Sequence, residues 1–501
     1  MSTISTSSAT ASANAALQSA AQSIISGSTG NSSMDVSSLV TALVNAKTAG
    51  QTATLAAQQS KDNTTLSAYG ALSSALAALQ SGVTNLANGT TLSSFAATAS
   101  GTGLTATAGV GAVAGTYSVA VTQIASSQAL SSAAFGTSAQ LGTGTLSIAL
   151  GGKSMDISID NTNNTLSGIA SAINASSNNP GVTATIVTGT DGAHLVLRAA
   201  NTGASNVINV STSNVTSDNG LSSLGVTSTA STTGGQSSIV SANAGSAWTQ
   251  SGYAQDAQFT VGGIAASSSS NAVTGAISGV TINLAAASAG TTQTLTIAQD
   301  TASQNTAITN FVSLYNTVVT TMATLTSYNA GSSSQGPLLG DSTLQTIKNT
   351  LATIVGGAVG SGSTGATLAA IGITLKDDPA DGTLVVDNNK LNTALTSSPA
   401  TVATLFNTTN GIAEQLNTSI TNFTKTGGII DTRKTALNAD LKSITTQQTA
   451  LADYTTQLTD QYQAQFTALN TLMATMNNNS AYLTALFGGK DSAGAMATNK
   501  S

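Results

Sequence analysis

From Met34 onward the apolar positions fall into a helical period. Val36, Leu39, Val40, Leu43 and Val44 form one stripe, and Asp35 is placed to cap the helix they predict. Leu66, Tyr69, Leu72, Leu76, Leu79, Val83 and Leu86 continue at spacings of three and four, so one or two long helices are expected over about 35–88. The other face carries Gln, Ser, Thr and Asn rather than Glu and Lys. Such a helix gains little from ion pairs and is expected to depend on a partner.

From about residue 92 the period changes to two. Tyr117–Thr122, Leu146–Leu150 and Met155–Ile159 alternate, and Gly151-Gly152 between the last two runs predicts a hairpin. Val182–Val187 and Leu195–Leu197 flank Asp191-Gly192, a second hairpin signal. Leu166, Ile169 and Ile173 mark a short helix between the two hairpins. Residues 211–250 show little pattern and read as a linker or long loops. Strands return at Phe259–Val261, Val280–Leu284 and Leu295–Ile297.

The helical period resumes with Ile308, Phe311, Val312, Tyr315, Val318, Val319, Met322 and Leu325, and a further helix carries Leu344, Ile347, Leu351 and Ile354 behind a cap at Asp341 or Ser342. A hairpin is expected to turn near Asp381-Gly382, and Ser398-Pro399 to open a helix that ends at Phe406. Last comes the most regular stretch. Leu437, Leu441, Ile444, Leu451, Leu458, Tyr462, Phe466, Leu469, Met473 and Met476 recur by threes, fours and sevens, with no Gly or Pro from 429 to 487.

The fold class that follows is α+β and multidomain: a coiled-coil helical stalk from paired N- and C-terminal segments, with inserted antiparallel β-rich head domains. The expected seam is Leu66, Leu72, Leu76 and Leu79 on the first helix and Leu437, Leu441, Ile444, Leu451 and Leu458 on the last. The expected division is a disordered N-terminus over 1–34, a helical leg from 35–92 and 301–478, and a β-rich head from 93–116 and 245–300. A second head with the short helix takes 117–244, and a largely disordered tail takes 479–501.

Composition narrows the chemistry. The 501 residues include 13 Lys and Arg, 19 Asp and Glu, one His and no Cys. Thiol catalysis, zinc fingers, iron–sulfur clusters and disulfide scaffolds are excluded. A net charge of −6, with no basic residue between Arg198 and Lys348, disfavours nucleic acid. The N-terminus lacks the basic and apolar regions of a cleaved signal peptide, and no stretch approaches a membrane span, so any export is expected by a route that does not cleave such a signal.

The candidate sites weaken on inspection. His194 has no second His, and it reads as a solvent-facing strand residue. Asp377, Asp378, Asp381 and Asp387 lack calcium-loop spacing and suit turns. Gly151-Gly152-Lys153-Ser154 has Ser147 where a phosphate loop needs its first glycine. From 445 onward the polar face beside the 437–476 stripe is Thr, Gln, Asp and Asn rather than the Lys and Arg of a lipid-binding helix, so a protein–protein seam is expected. No catalytic residue, metal or cofactor is expected.

The motifs nevertheless stand in a known order. Met34–Val44, Gly115–Ala125, Gly144–Ile148, the run through Leu166, Ile169 and Ile173, Gly181-Val182, Val261-Gly262-Gly263-Ile264, Tyr315-Asn316 and Gly336-Pro337-Leu338-Leu339-Gly340-Asp341-Ser342 resemble the flagellar filament cap proteins, the hook-associated protein 2 family. The departure is in charge, which this chain largely replaces with Ser, Thr, Ala and Asn. The resemblance implies an extracellular, non-enzymatic cap at the flagellar tip, a homo-oligomeric ring whose legs dock on the filament and which shelters folding and insertion of flagellin. It also implies hook–filament junction proteins and an export chaperone as partners, and export through the flagellar secretion apparatus. An alternative keeps the β-rich heads as an adhesin for host glycans or mucin, against which Trp248 is the only tryptophan available for stacking on a sugar.

Overall fold

The computed structural model describes residues 35–286, 289–331, 335–360, 365–406 and 409–487, with residues 15, 18, 21 and 22 ahead of them. The disorder expected for 1–34, apart from residues 15, 18, 21 and 22, and for the end of the tail falls on residues outside the described ones. The chain divides into two compact units, Met1–Thr91 with Asn305–Ser501, and Leu92–Gln304.

The helical unit begins with α1 (Val36–Ala87), a single helix of 52 residues. Asp35 caps it, accepting from the Ser38 amide at 3.0 Å and from the Ser38 hydroxyl at 2.6 Å. Threonine is a poor helix former because its hydroxyl competes for backbone groups. Here the hydroxyls bond the carbonyl four residues back, as Thr48 does to Val44 at 2.9 Å, so a Thr-rich helix leaves these donors satisfied. Asn88 and Gly89, the latter at φ 74°, end the helix in the left-handed turn typical of a C-terminus.

After the second unit the chain returns through α3 (Thr301–Leu325), which buries Ile308, Phe311, Tyr315 and Val318. Phe311 meets Phe406 edge to face, with ring centres 5.9 Å apart. Helix α4 (Ser342–Gly356) is capped by Asp341. Strands β18 (Ile373–Leu375) and β19 (Leu384–Val386) form the expected hairpin. Asn316 of α3 clamps it, accepting from the Leu384 amide at 2.7 Å and donating to the Leu384 carbonyl at 2.9 Å. Three short helices follow: α5 (Asn388–Ser397), α6 (Pro399–Leu405) and α7 (Ile412–Thr424). Only α6 is apparent in the sequence pattern. Helix α5 buries just Leu391 and Leu395, too short a stripe to reveal a period. Helix α8 (Ile429–Phe487) runs 59 residues, through 479–487 where a tail was expected.

The β unit has two cores. One joins a five-stranded antiparallel sheet, β1 (Phe95–Ala99), β17 (Thr291–Gln299), β3 (Gly115–Gln123), β13 (Ala257–Val261) and β14 (Ile264–Ser268), to a three-stranded sheet of β15 (Ala272–Ile277), β16 (Val280–Leu284) and β2 (Leu104–Ala108). Val119, Val121, Phe259, Ile282 and Leu295 lie between them. The second core joins β11 (Ser238–Ser241), β10 (Val226–Thr229), β9 (Ile208–Thr216), β5 (Thr143–Leu150) and β6 (Lys153–Ile159) to β12 (Thr249–Gly252), β4 (Ala129–Ser131), β8 (Ala193–Ala199) and β7 (Val182–Thr188). Helix α2 (Leu166–Ala175) adds Leu166, Ile169 and Ile173 to this core.

Between β5 and β6, Gly151 and Gly152 sit at φ 56° and 82°, a two-residue turn that matches strand twist and that L side chains resist. The reading of 151–154 as a turn rather than a phosphate loop follows from that geometry.

Two expectations are corrected. Residues 211–250 are not a linker: most of β9, all of β10 and β11, and the start of β12 lie there, as strands of four to nine Ser/Thr-rich residues that carry few large apolar markers. The boundary between heads does not fall at 117 and 244. Strand β3 pairs with β17 and β13 along its whole length, and β12 pairs with β4 of the second core. Alternation identifies a strand but not the sheet it joins.

Candidate functional site: the long-helix seam

The N-terminal half of α1 pairs with α8. Leu39 and Ala42 pack with Val36, Leu43 and Phe466. Val40 and Val44 pack with Leu458, Tyr462 and Phe466, and Leu55 packs with Ile444 and Leu451. Positions rise along α1 as they fall along α8, so the helices are antiparallel. Gln448 donates to Gln59 at 3.2 Å, a neutral link across the seam.

Of the residues expected in the seam, Ile444, Leu451 and Leu458 lie against α1, and Leu437 is buried nearby in sequence. Leu66 and Leu441 are half-buried. Leu72, Leu76 and Leu79 are wholly buried, on the stretch of α1 that also meets α7 and α3. There Gln80 donates to Asn417 at 3.0 Å and to Thr421 at 2.8 Å, and Gly82 lets Leu314 approach the backbone. The stripe is continuous along α1, but its neighbours change from one helix to several.

Beyond Phe466 the apolar stripe of α8 outruns its contacts. Leu472, Met476, Tyr482, Leu483 and Phe487 are all exposed, Phe487 at 73%. Apolar side chains at such spacing along one helix mark a surface that can be covered.

Where the seam meets the bundle stands a polar knot. The Tyr69 hydroxyl donates to Asp341 Oδ2 at 2.7 Å, and Arg433 of α8 approaches the same oxygen at 3.4 Å. Asp341 Oδ1 accepts from the amides of Thr343 and Leu344 at 2.8 and 3.1 Å. The Asp341 side chain is only 8% exposed. Burial pushes its pKa up, but the Tyr69 hydroxyl, the Leu344 amide, the Arg433 charge and the Thr343 amide together hold it below the usual carboxylate value. Burial also pushes the Tyr69 hydroxyl up, and Asp341 adds to that. Pattern reading places Tyr69 in the apolar stripe and Asp341 at a helix cap, and nothing local in the sequence marks Arg433 as their partner.

The other candidates sit in turns, caps and a polar cavity. His194 is not simply solvent-facing: its side chain is 20% exposed, with Nδ1 2.8 Å from the Ser132 carbonyl and Nε2 3.1 Å from Asp191. The Ser132 carbonyl and then the Asp191 carboxylate raise its pKa, since both favour a protonated ring. It clasps a hairpin. Asp381 accepts from Thr383 and pairs with Lys376 at 3.6 Å, while Asp387 caps α5. A cavity of about 610 Å³ between α4 and α7 is lined by amides and hydroxyls, with Glu414 its one ionisable group. Among the described residues no three His, Asp or Glu side chains gather where they could hold a metal ion. Among those residues no helix is long and apolar enough to cross a membrane. Trp248 is buried in the second β core, out of reach of a sugar.

The family model for the flagellar hook-associated protein 2 N-terminus matches residues 32–128, and that for its C-terminus matches 254–478. A flagellin hook IN motif matches 145–201, in the second β core. The chain is 36% identical over 460 residues to flagellar hook-associated protein 2 of Escherichia coli (strain K12), covering 88% of this chain and 94% of that protein. It is 32% identical to the B-type flagellar hook-associated protein 2 of Pseudomonas aeruginosa, covering 87% and 92%. The crystal structure of the D1-D2-D3 domains of the flagellar cap protein FliD from Escherichia coli matches with a TM-score of 0.58 at 34% identity. That match covers 74% of this chain and 99% of that one.

Proposed function

The chain belongs to the flagellar hook-associated protein 2 family, and from that premise we propose that it is a non-enzymatic cap at the distal tip of the bacterial flagellar filament. In this reading several copies form a ring, the paired long helices act as legs on the filament end, and exported flagellin folds and inserts beneath the β unit. The protein reaches that place through the flagellar secretion apparatus, handed over by an export chaperone, and follows the hook–filament junction proteins.

The observation that carries the reading is the apolar stripe of α8 beyond Phe466, exposed in the monomer at Leu472, Met476, Leu483 and Phe487. Burying such side chains contributes about 25 cal/mol per Å² of apolar surface, so a leg of this kind gains from docking against another protein. Neutral polar faces make that contact weakly dependent on salt.

Deleting the gene tests the proposal. Cells are expected to keep their hooks and to release flagellin monomers into the medium. Re-expressing the protein should restore filaments, whereas Leu472→Glu with Leu483→Glu should not. Normal filaments in the deletion strain would overturn the cap role. Native mass spectrometry of the purified protein reads the ring, and a monomer at all concentrations would remove that part of the reading.

A further inference from the structure

Two long helices with apolar stripes can pair in more than one register, because sliding by a heptad again puts apolar side chains opposite apolar side chains. Coiled coils usually settle the choice with charged pairs at the flanks or a polar residue in the seam. The flanks of α1 and α8 are mostly Gln, Thr, Ser and Asn, which pair almost equally well after a slip, and the charges among them, Lys47, Lys61 and Asp62 on α1 and Asp440, Lys442, Asp453 and Asp460 on α8, form no ion pair across the seam among the described residues. The described residues contain four ion pairs. Three of them join residues within five positions of each other and so carry no information about tertiary alignment. The fourth, Arg433 with Asp341, ties α8 to the cap of α4.

That pair does not act alone. The same Asp341 oxygen receives the hydroxyl of Tyr69, a residue of α1 with no exposed surface. The other oxygen is held by two amides at the start of α4, so the carboxylate cannot follow either partner if one helix slides. Sliding α8 by a turn would carry Arg433 about 5 Å away, and sliding α1 would do the same to Tyr69. Either movement leaves a carboxylate that is nine-tenths buried short of a partner, which is far costlier than losing an exposed one. An apolar residue in the stripe carries no such penalty, since another takes its place.

We propose that Tyr69, Asp341 and Arg433 form a register lock, in which one buried carboxylate measured against a fixed helix cap sets the alignment of α1 with α8. These are positioning residues. The lock goes beyond the cap proposal and does not depend on it.

The absence of cysteine makes the test direct, because any disulfide comes from the residues introduced. Val44→Cys with Leu458→Cys samples the observed register, in which those residues share a small core. Val44→Cys with Leu451→Cys samples a one-heptad slip, and in the observed register Leu451 packs against Leu55 instead. In the full-length protein under mild oxidation, the first pair should cross-link and the second should not. Adding Tyr69→Phe with Asp341→Asn keeps a good cap on α4 and removes the charge and the hydroxyl. The slipped cross-link should then rise by about tenfold or more, as expected for losing a hydrogen bond to a charged group. Arg433→Lys should remain close to the parent.

If the slipped product stays at background while the variant keeps its helical circular dichroism, the lock is refuted. Should the double variant fail to fold, Arg433→Gln decides. Its side chain is half exposed, and Asp341 keeps its other three donors, so the fold should survive. A rise in the slipped product supports the lock, and no rise overturns it.

Discussion

The two ends of α1 are made of similar sequence and live in different surroundings. Toward the N-terminus, Val40 and Val44 pack among the described residues against α8; they keep 1% and 3% of their surface exposed, and their partner Leu458 keeps 8%. Toward the C-terminus, Leu72, Leu76, Leu79 and Val83 are wholly enclosed. A two-helix seam covers an apolar side chain from one direction, whereas a bundle covers it from several. The difference separates two tasks within one helix: the enclosed end holds the fold, and the thin end holds a long pair of helices whose far stretch remains available to another surface.

Truncating side chains at the two ends should break the symmetry of the sequence pattern. Leu76→Ala should cost about 3–5 kcal/mol in chemical denaturation, because the surrounding bundle cannot collapse into the space left. Leu458→Ala should cost about 2 kcal/mol or less, since the seam can close up and water already reaches its edge. Equal losses would mean that the thin stretch is as tightly packed as the bundle.

Acid sharpens the comparison at the point where the ends meet. The folded-state pKa of Asp341 lies below its unfolded value, so its stabilisation is complete above the unfolded value near pH 4. It is lost as the pH falls through the lower folded value. Melting temperatures of the parent should therefore drop more steeply below about pH 4 than those of Asp341→Asn. Parallel curves would remove Asp341 from the account.

The smallest effect concerns two glycines inside α1. Gly50 and Gly70 have helical backbone and open space where a Cβ would lie. Replacing either with Ala should raise stability by up to about 1 kcal/mol by restricting the unfolded chain. If only Gly70→Ala stabilises, the thin stretch must unfold separately from the bundle, and hydrogen exchange at residues 40–55 should show it.

Period and capping are local properties, and whatever depends on them is legible along the chain. The two long helices, the Asp35 and Asp341 caps, the Gly151-Gly152 turn and the alternation of β5, β6, β7 and β8 can all be read from residues within a few positions of one another. The Ser- and Thr-rich strands β9–β12 were not legible, because strands that bury few large side chains carry little alternation to detect. Tertiary structure alone decided which sheet β3 joins, since both faces of a strand alternate alike whatever its neighbours. It also decided that Leu76 lies in a bundle and Leu458 in a seam, because a stripe specifies a direction and not the number of helices found there. The knot of Tyr69, Asp341 and Arg433 depended on it most: three residues from distant parts of the chain become one site only when a carboxylate at a helix cap is buried between two long helices.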